Sequence, residues 1–434
     1  MKKYLSISSG LLALLLMPLS AFAEGTGKVD SGDTAFVLLS AALVMLMTPG
    51  LAMFYGGMVR KKNVLGTLMH SFVAIALVSV QWILVGYSLS FGPDISGLIG
   101  SLDWIGLRGV GVEPNPDYAA TIPHMAFMIY QAMFAVITPA LIAGAFAERM
   151  KFSAFLIFTL LWSTLVYDPV AHWVWGTGGW LRNLGALDFA GGIVVHITSG
   201  ISALAAALVI GKRRGYLREH MPPHNLPMTV LGAGLLWFGW FGFNAGSALS
   251  AGGLSTMAFV ITHIAAVTAT LVWVIIEWLH RGKPTMFGAA TGSIAGLATI
   301  TPASGFVGPM GALMIGAAAG SICYLSLFLK PKLKFDDSLD AFGIHGVGGI
   351  LGTIGAGLFA QKAINAAGAD GLFFGNSHQF LVQLMSIAVV AVFSFVVSLV
   401  LLKVIDVVIG LRVSDEEELM GIDLSQHEEN GYQL

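Results

Sequence analysis

The sequence has few charged residues and a single cysteine. Asp, Glu, Lys and Arg make up 11% of the 434 residues, whereas soluble domains carry roughly 25%, so charge cannot cover a globular surface in water. The formal net charge is −2, which leaves no basic field to attract nucleic acid. Because Cys323 is the only cysteine, a disulfide framework and a cysteine-based metal cluster are both excluded.

Apolar residues and glycine are abundant instead. Hydrophobic residues form 56% of the chain and the mean hydropathy is +0.81, a composition that requires lipid as the solvent. The chain also contains 54 Gly, 27 Phe and 10 Trp. This combination predicts closely packed helices around an interior lined by aromatic rings.

The first 23 residues are organised like a secretory signal peptide. Two lysines precede the apolar run 11–16, and Ala21-Phe22-Ala23 follows it, which matches the basic, apolar and A-x-A regions of such signals. The alternative is a membrane-spanning helix, but the run is too short to cross about 30 Å of hydrocarbon. We therefore predict a cleaved signal at 1–23, a membrane domain at 24–411 and a cytoplasmic tail at 412–434.

Eleven apolar stretches follow the signal, each near the length that spans a bilayer. The sequence thus predicts an all-α polytopic membrane protein, with two inverted five-helix repeats and a long C-terminal helix. The external loop at 92–121 can hold a short helix at most. The predicted spans cover residues 34–59, 64–91, 122–147, 152–174, 189–210, 226–247, 254–279, 285–301, 306–329, 339–360 and 380–409.

The basic residues orient these spans, because cytoplasmic loops are rich in Lys and Arg. Alternate loops carry Arg60-Lys61-Lys62, Arg149 with Lys151, Lys212-Arg213-Arg214 with Arg218, Arg281 with Lys283, and Lys330, Lys332 and Lys334. The opposite loops carry only Lys28, Arg108, Arg182 and Lys362. We therefore predict an external N-terminus and an internal C-terminus. The acidic tail from 414 is expected to be solvated and to face a partner.

Two segments of the chain resemble each other. Leu187-Asp188-Phe189-Ala190-Gly191 leads to His196, and Leu339-Asp340-Ala341-Phe342-Gly343 leads to His345. Five spans separate them, an odd number, so the two halves would cross the membrane in opposite directions. Inverted repeats place a transport site at the repeat interface near the midplane.

Two histidines lie well inside predicted spans, where ionisable groups are costly. His196 and His345 could be packing residues, but each lies on a glycine-rich helix of a matching half. Neutral imidazoles in a narrow pore could share a proton, because each has one donor and one acceptor. Asp188 has two compatible roles, as a helix N-cap and as electrostatic support for a cation. No third ligand accompanies the histidines, so we expect no metal and no cofactor.

Aromatic residues cluster at the outer ends of several spans. Interfacial belts explain many Trp residues, including Trp173 and Trp180. An aromatic face beside a hydroxyl and a carboxylate is also suited to holding a small cation, at about 1–2 kcal/mol. Tyr130 and Phe134 are four residues apart and therefore share one helix face.

These motifs resemble the ammonium transporter family, the Amt/Mep/Rh group. The resemblance runs from about Asp33 to the tail and keeps several motifs in order across eleven spans. The matching motifs are Phe54-Tyr55-Gly56-Gly57, Asp188-Phe189-Ala190-Gly191-Gly192-x-Val194-Val195-His196, Gly239-Trp240-Phe241-Gly242-Phe243-Asn244-Ala245-Gly246-Ser247, Phe342-Gly343-x-His345-Gly346 and Gly410-Leu411-Arg412-Val413.

The resemblance implies a substrate site and a gate. In the family, a Trp, a Ser and an aromatic wall bind ammonium externally, which matches Trp175, Ser247 and Tyr130. Some members have Phe at the position of Tyr130, whose hydroxyl would add to this site. Two stacked aromatic rings then block the pore, which matches Phe134 and Phe243.

The resemblance also implies a proton pathway and partners. The twin pore histidines match His196 and His345, and the structural aspartate matches Asp188. The family implies a homotrimer with one pore per subunit in the bacterial inner membrane. It also implies a PII-type nitrogen regulatory protein as a partner at the cytoplasmic face.

Together these residues predict a transporter that binds ammonium, or methylammonium as an analogue, removes a proton and conducts ammonia while the histidines pass the proton. Two alternatives remain: a sensor that signals through a PII-type partner, and an electroneutral channel for ammonia or carbon dioxide. An enzyme is not expected, because no nucleophile–base set or metal-ligand spacing is present.

Cleavage after Ala23 can be measured directly. Mass spectrometry of protein purified from membranes is expected to find Glu24 as the first residue, because the A-x-A motif ends one position before it. A mature protein that still begins at residue 1 would contradict the assignment.

Overall fold

The chain folds into a bundle of membrane-length helices. The computed structural model describes residues 28–432, so the predicted signal peptide at 1–23 lies outside the described residues. Ten long apolar helices and one shorter one occur in the described part, at the positions of the eleven predicted spans. They are α1 (Ser31–Met58), α2 (Lys61–Phe91), α3 (His124–Phe146), α4 (Phe152–Asn183), α5 (Gly192–Ile210), α6 (Leu226–Ala248), α7 (Gly253–Arg281), α8 (Met286–Ile300), α9 (Pro309–Leu333), α10 (Phe342–Phe359) and α11 (Ser377–Ile409).

Short elements complete the described chain. Two small antiparallel hairpins, β1 (Asp94–Ile95) with β2 (Ile99–Gly100) and β3 (Pro114–Asn115) with β4 (Ala119–Pro123), lie between α2 and α3. This loop also contains a 3-10 turn, Ile105–Leu107. After α11 come two short helices, α12 (Asp415–Met420) and α13 (Ile422–His427).

The helices α5 and α10 begin in π turns, at Gly192–Ile197 and Phe342–Gly346. A π turn accommodates one residue more than a regular α-helical turn and is common at functional sites. Each of these two turns contains one of the histidines, His196 or His345. The two histidine-bearing segments therefore share the same irregular backbone.

Glycine lets α5 and α10 pack closely. A Cβ added at Gly200 would collide with the backbone nitrogen of Gly346. A Cβ added at Gly349 would lie 2.9 Å from the Cβ of His196. Small residues allow such close approach between membrane helices. Part of the glycine excess is therefore explained by this crossing, which brings the two histidines together.

The acidic tail is folded against loops that are rich in basic residues, so the expectation of a solvated tail is wrong for the side chains of Glu418 and Asp423. The Glu418 carboxylate is buried and accepts hydrogen bonds from Arg412 Nη2 at 2.6 Å and from the Arg214 backbone N–H at 2.7 Å. The carboxylate of Asp423 accepts from the Gly66 N–H at 2.8 Å. The tail docks because its carboxylates face basic side chains and free backbone donors.

A buried charge cluster joins four of the loops on this side of the bundle. Glu148 is fully buried, and its carboxylate lies 2.9 Å from Arg60 Nη2 and 3.2 Å from Arg213 Nη1. Arg213 also pairs with Asp336 at 2.9 Å. Burial raises the pKa of Glu148, but Arg213 and Arg60 lower it by more, so the pKa lies below its ordinary value.

Replacing Glu148 with Gln is expected to destabilise the protein by about 3 kcal/mol at pH 7, because both arginines lose a buried partner. Stabilisation by a carboxylate whose pKa is lowered is present above the ordinary value of about 4.3 and is lost as pH falls through the lowered pKa. The difference in free energy of unfolding between the wild-type protein and the variant should therefore become smaller as the pH is lowered. Chemical unfolding in detergent micelles measures this difference, with the exposed Glu429→Gln as control. Equal stability at pH 7 would contradict the role of the cluster.

Candidate functional site

An open cavity of about 300 Å³ lies at the ends of several helices, on the side that the basic loops predict to be external. We call it the outer cavity. Its wall includes the predicted residues Trp175, Asp188 and Ser247, together with the ring of Phe134. Two further charged residues, Asp117 and Arg182, also line it. The remaining lining residues are mostly apolar: Phe91, Tyr118, Phe127, Gln131, Val174, Phe189, Leu249, Phe306 and Ala367.

The indole of Trp175 is held in place at this cavity. Its Nε1 donates a hydrogen bond to the backbone oxygen of Asp188 at 2.8 Å. The backbone oxygen of Trp175 in turn accepts from Arg182 Nη1 at 2.7 Å. One hydrogen bond therefore holds the indole and the other holds the backbone of this residue at the wall of the cavity.

The Asp188 carboxylate caps the N-terminus of α5. Its Oδ1 accepts from the N–H groups of Gly191 and Gly192 at 2.8 and 2.6 Å. Its Oδ2 accepts from those of Ile193 and Val194 at 2.7 and 3.0 Å. Gly191 has φ of 111°, a conformation that suits glycine. The backbone thus occupies the carboxylate's acceptor positions, which favours the capping role over direct contact with a cation.

Tyr130 lies behind the wall of the cavity. Its side chain is 0% exposed, and its ring packs edge-on against Phe134 with 5.0 Å between ring centroids. The hydroxyl lies 3.1 Å from Ser247 Oγ. Tyr130 therefore contacts two lining residues, while its own hydroxyl is shielded from the cavity.

The rings of Phe134 and Phe243 stack beneath the outer cavity. Their centroids are 4.3 Å apart and the ring planes are tilted by 33°. Phe134 lines the outer cavity, and Phe243 lines a second, inner cavity. The pair therefore lies between the two cavities.

The two histidines lie on the other side of this pair. His196 and His345 stack with 5.2 Å between centroids, and their Nδ1 atoms are 3.3 Å apart. Since a hydrogen bond between two ring nitrogens needs one donor and one acceptor, this geometry fits one shared proton. His196 Nε2 has no hydrogen-bond partner among the described residues. The predicted pairing of the two side chains is thus present.

The inner cavity is narrow and almost entirely apolar. Its volume is about 10 Å³, close to the space that one water molecule requires. Trp240 is part of the wall, but its Nε1 is bound to Thr301 Oγ1 at 2.9 Å. The two histidines therefore supply the polar ring atoms that remain available in this cavity. The residues that line it are Met47, Leu51, Phe54, Ile137, Leu141, Val195, His196, Leu236, Trp240, Phe243, Ile294 and His345.

Known proteins resemble this chain over most of its length. The family model described as "Ammonium Transporter Family" matches residues 35–432. The chain belongs to the ammonium transporter family. An ammonium transporter of Bacillus subtilis is 54% identical over 93% of this chain and 99% of its own length. The crystal structure of Mep2 from Candida albicans has a TM-score of 0.87 and 36% identity, covering 94% of both chains. A structure titled "Sensor Amt Protein" has a TM-score of 0.84 and 30% identity, covering 91% of this chain and 98% of that one.

The second half of this family member contains a structural counterpart of Asp188 that lies outside the two matching Leu-Asp motifs. Asp337, rather than Asp340, accepts hydrogen bonds from the N–H groups of Ala341 and Phe342, at 3.1 and 2.8 Å. Asp340 instead pairs with Lys330. Asp188 precedes His196 by eight residues, and Asp337 precedes His345 by the same number. This equal spacing is the sequence signal that identifies Asp337 as the counterpart of Asp188. The short Leu-Asp motifs align Asp188 with Asp340 instead.

In this transporter, Asp188→Asn is expected to reduce ammonium-dependent current at least tenfold. The amide group would turn an N–H donor toward the donors of Ile193 and Val194, which costs roughly 1–3 kcal/mol for each unsatisfied group. Currents and unfolding midpoints should be measured together, with Asp103→Asn in the exposed external loop as a matched control. Wild-type current and stability in Asp188→Asn would show that the cap is dispensable.

Proposed function

We propose that this protein carries ammonium across the membrane by separating it into ammonia and a proton. The inner cavity supports this most directly, because it is about 10 Å³ in volume and lined by apolar groups and two histidines. A bare cation in such a space loses several kcal/mol of hydration that the wall cannot replace. Neutral ammonia avoids most of that cost.

The outer cavity is where the cation binds in this proposal. The faces of Trp175 and Phe134 attract it by about 1–2 kcal/mol, and Ser247 Oγ accepts one of its N–H groups. The helix α6 (Leu226–Ala248) ends at this cavity. Because helix C-termini carry a partial negative charge, they favour a cation by about 0.3–1 kcal/mol.

The histidine pair takes the proton in this proposal. The unpartnered Nε2 of His196 accepts it from ammonium at the aromatic gate. The proton already on His196 Nδ1 then passes to His345 Nδ1, 3.3 Å away. His345 releases its own Nε2 proton on the inner side, and both rings return to the neutral state. One positive charge therefore crosses for each ammonia molecule.

Location and partners follow from charge and family resemblance. The basic loops that alternate along the chain support an external N-terminus and an internal C-terminus in the bacterial inner membrane. The family resemblance supports a homotrimer with a pore in each subunit. It also supports a PII-type nitrogen regulatory protein as a partner at the cytoplasmic face, where α12 and α13 lie against the loops.

A second candidate function is ammonium sensing, favoured by the likeness to the structure titled "Sensor Amt Protein". In that case binding at the outer cavity would be reported through the cytoplasmic loops and tail, with little flux. An electroneutral gas channel is a third possibility, because the inner cavity suits any small neutral molecule. Measurements of binding, flux and current together separate all three.

Purified protein in liposomes on a solid-supported membrane is expected to give currents with ammonium and methylammonium but not with potassium, which cannot lose a proton. His196→Ala should abolish these currents and leave the fold intact, because it removes the first proton acceptor. The exposed His378→Ala serves as the control and should keep wild-type current.

The outcomes distinguish the candidates. Ammonia flux without current in the wild-type protein favours the gas channel. Ammonium binding with neither flux nor current favours the sensor. Full ammonium current in His196→Ala would falsify the histidine relay.

A further inference from the structure

We propose that Tyr130 is a positioning residue that turns the hydroxyl hydrogen of Ser247 away from the outer cavity. Ser247 would then present only oxygen lone pairs to a cation. The inference rests on the proposed binding of ammonium at this cavity and adds a residue that acts through Ser247. It concerns the direction of one hydrogen atom, which decides whether a hydroxyl attracts or repels a cation.

The polar groups behind Ser247 form a compact cluster. Tyr130 Oη lies 2.8 Å from the backbone oxygen of Phe243 and 3.0 Å from that of Gly242. Ser247 Oγ lies 2.9 Å from the same Phe243 oxygen and 3.1 Å from Tyr130 Oη. The cluster thus contains two hydroxyl hydrogens and two carbonyl oxygens.

The carbonyl groups determine which way the hydroxyl hydrogens point. A carbonyl oxygen can only accept, so the Tyr130 and Ser247 hydroxyls are the donors in these contacts. Gly242 and Phe243 lie in the last turns of α6, where the helix dipole places excess negative charge on the carbonyl groups. Both hydroxyl hydrogens are therefore drawn inward. Tyr130 Oη offers the Ser247 hydrogen a second inward acceptor.

The direction of the Ser247 hydrogen matters because ammonium has four N–H donors and no acceptor. A serine hydroxyl has one hydrogen and two lone pairs. If the hydrogen points inward, a lone pair faces the cavity and attracts the cation. If it points outward, it repels the cation. In Tyr130→Phe the hydroxyl hydrogen of Ser247 would have one inward acceptor fewer. Its outward orientation would therefore become more populated.

The packing around Tyr130 fits a positioning role better than a ligand role. The ring is fully buried, and Tyr130 is not among the residues that line the cavity. A Cβ added at Gly246 would lie 2.7 Å from Tyr130 Oη, so this glycine leaves the space that the phenol occupies. A cation in the cavity can therefore contact Ser247 but not the Tyr130 hydroxyl.

A double-mutant cycle tests the inference with Tyr130→Phe, Ser247→Ala and the double variant. Tyr130→Phe is expected to raise the KM of the ammonium current about three- to tenfold, the equivalent of one hydrogen bond, with maximal current within about twofold. In the Ser247→Ala background the same change should have no further effect on KM, because the hydroxyl through which Tyr130 acts is absent. Tyr216→Phe, which removes a hydroxyl–carbonyl hydrogen bond of 2.8 Å in a cytoplasmic loop, is the control and should keep wild-type KM.

Two results would overturn the inference. An unchanged KM in Tyr130→Phe would show that its hydroxyl is not used. An equal rise in both backgrounds would show that Tyr130 acts by packing alone. Thermal melting of all variants identifies any that fail to fold. If Tyr130→Phe melts at a lower temperature than the wild-type protein, Tyr130→Trp is measured in its place with the same expectation. Tryptophan keeps a large buried ring and an N–H donor but has no acceptor oxygen.

Binding measurements keep this inference separate from the proposed transport. The fluorescence of Trp175 should respond to methylammonium, and titration gives Kd for the same variants without any current. If wild-type protein binds methylammonium but carries no current, transport fails and the Kd values still decide the role of Tyr130. If it neither binds nor conducts, both proposals are wrong.

Discussion

The capping of α5 by Asp188 is the interaction on which the rest of the site depends. One carboxylate accepts four backbone N–H groups and so fixes where the helix begins. The backbone oxygen of the same residue holds the indole of Trp175, and His196 follows eight residues later. The buried carboxylate of Asp188 therefore fixes the position of the outer cavity relative to that of His196. Asp337 does the equivalent for α10 and His345.

Much of the architecture could be predicted from composition and charge. Apolar runs and alternating basic loops predicted the eleven spans, because bilayer thickness constrains helix length and loop charge follows orientation. The stacking of Phe134 on Phe243 and the pairing of His196 with His345 were expected from the resemblance to a family. Spacing alone could indicate only that Tyr130 and Phe134 share a helix face.

Other features depend on contacts that no local pattern specifies. The burial of Tyr130 arises from packing against the end of α6, more than a hundred residues away. The docking of α12 depends on the pairing of Glu418 with Arg214 and Arg412 across separate loops. The matching Leu-Asp motifs align Asp188 with Asp340, whereas the residue that caps α10 is Asp337, which a turn separates from that helix. Side-chain direction in turns depends on backbone geometry, and Asp340 itself has φ of 64°.

Charge is distributed unevenly between the two faces of the described structure. The inner cavity beside the histidines is lined almost entirely by apolar groups, while buried ion pairs gather at the loops that are predicted to be cytoplasmic. There Arg213 links Glu148 to Asp336, and Asp336 directly precedes Asp337, the cap of α10. The loop that closes the charge cluster thus also carries the residue that positions the second histidine. Tail, loops and histidine helix form one connected set of contacts.

The π turns at Gly192–Ile197 and Phe342–Gly346 make the direction of each histidine side chain depend on the number of residues in the turn. Successive residues of an α-helix are rotated by about 100° around its axis. Removing the additional residue from either turn would rotate the histidine by that angle relative to the preceding cap, and its imidazole would face a neighbouring helix. The pathway therefore depends on an exact residue count in each helix as much as on side-chain identity. Substitutions preserve that count, so only deletions and insertions can reveal its importance.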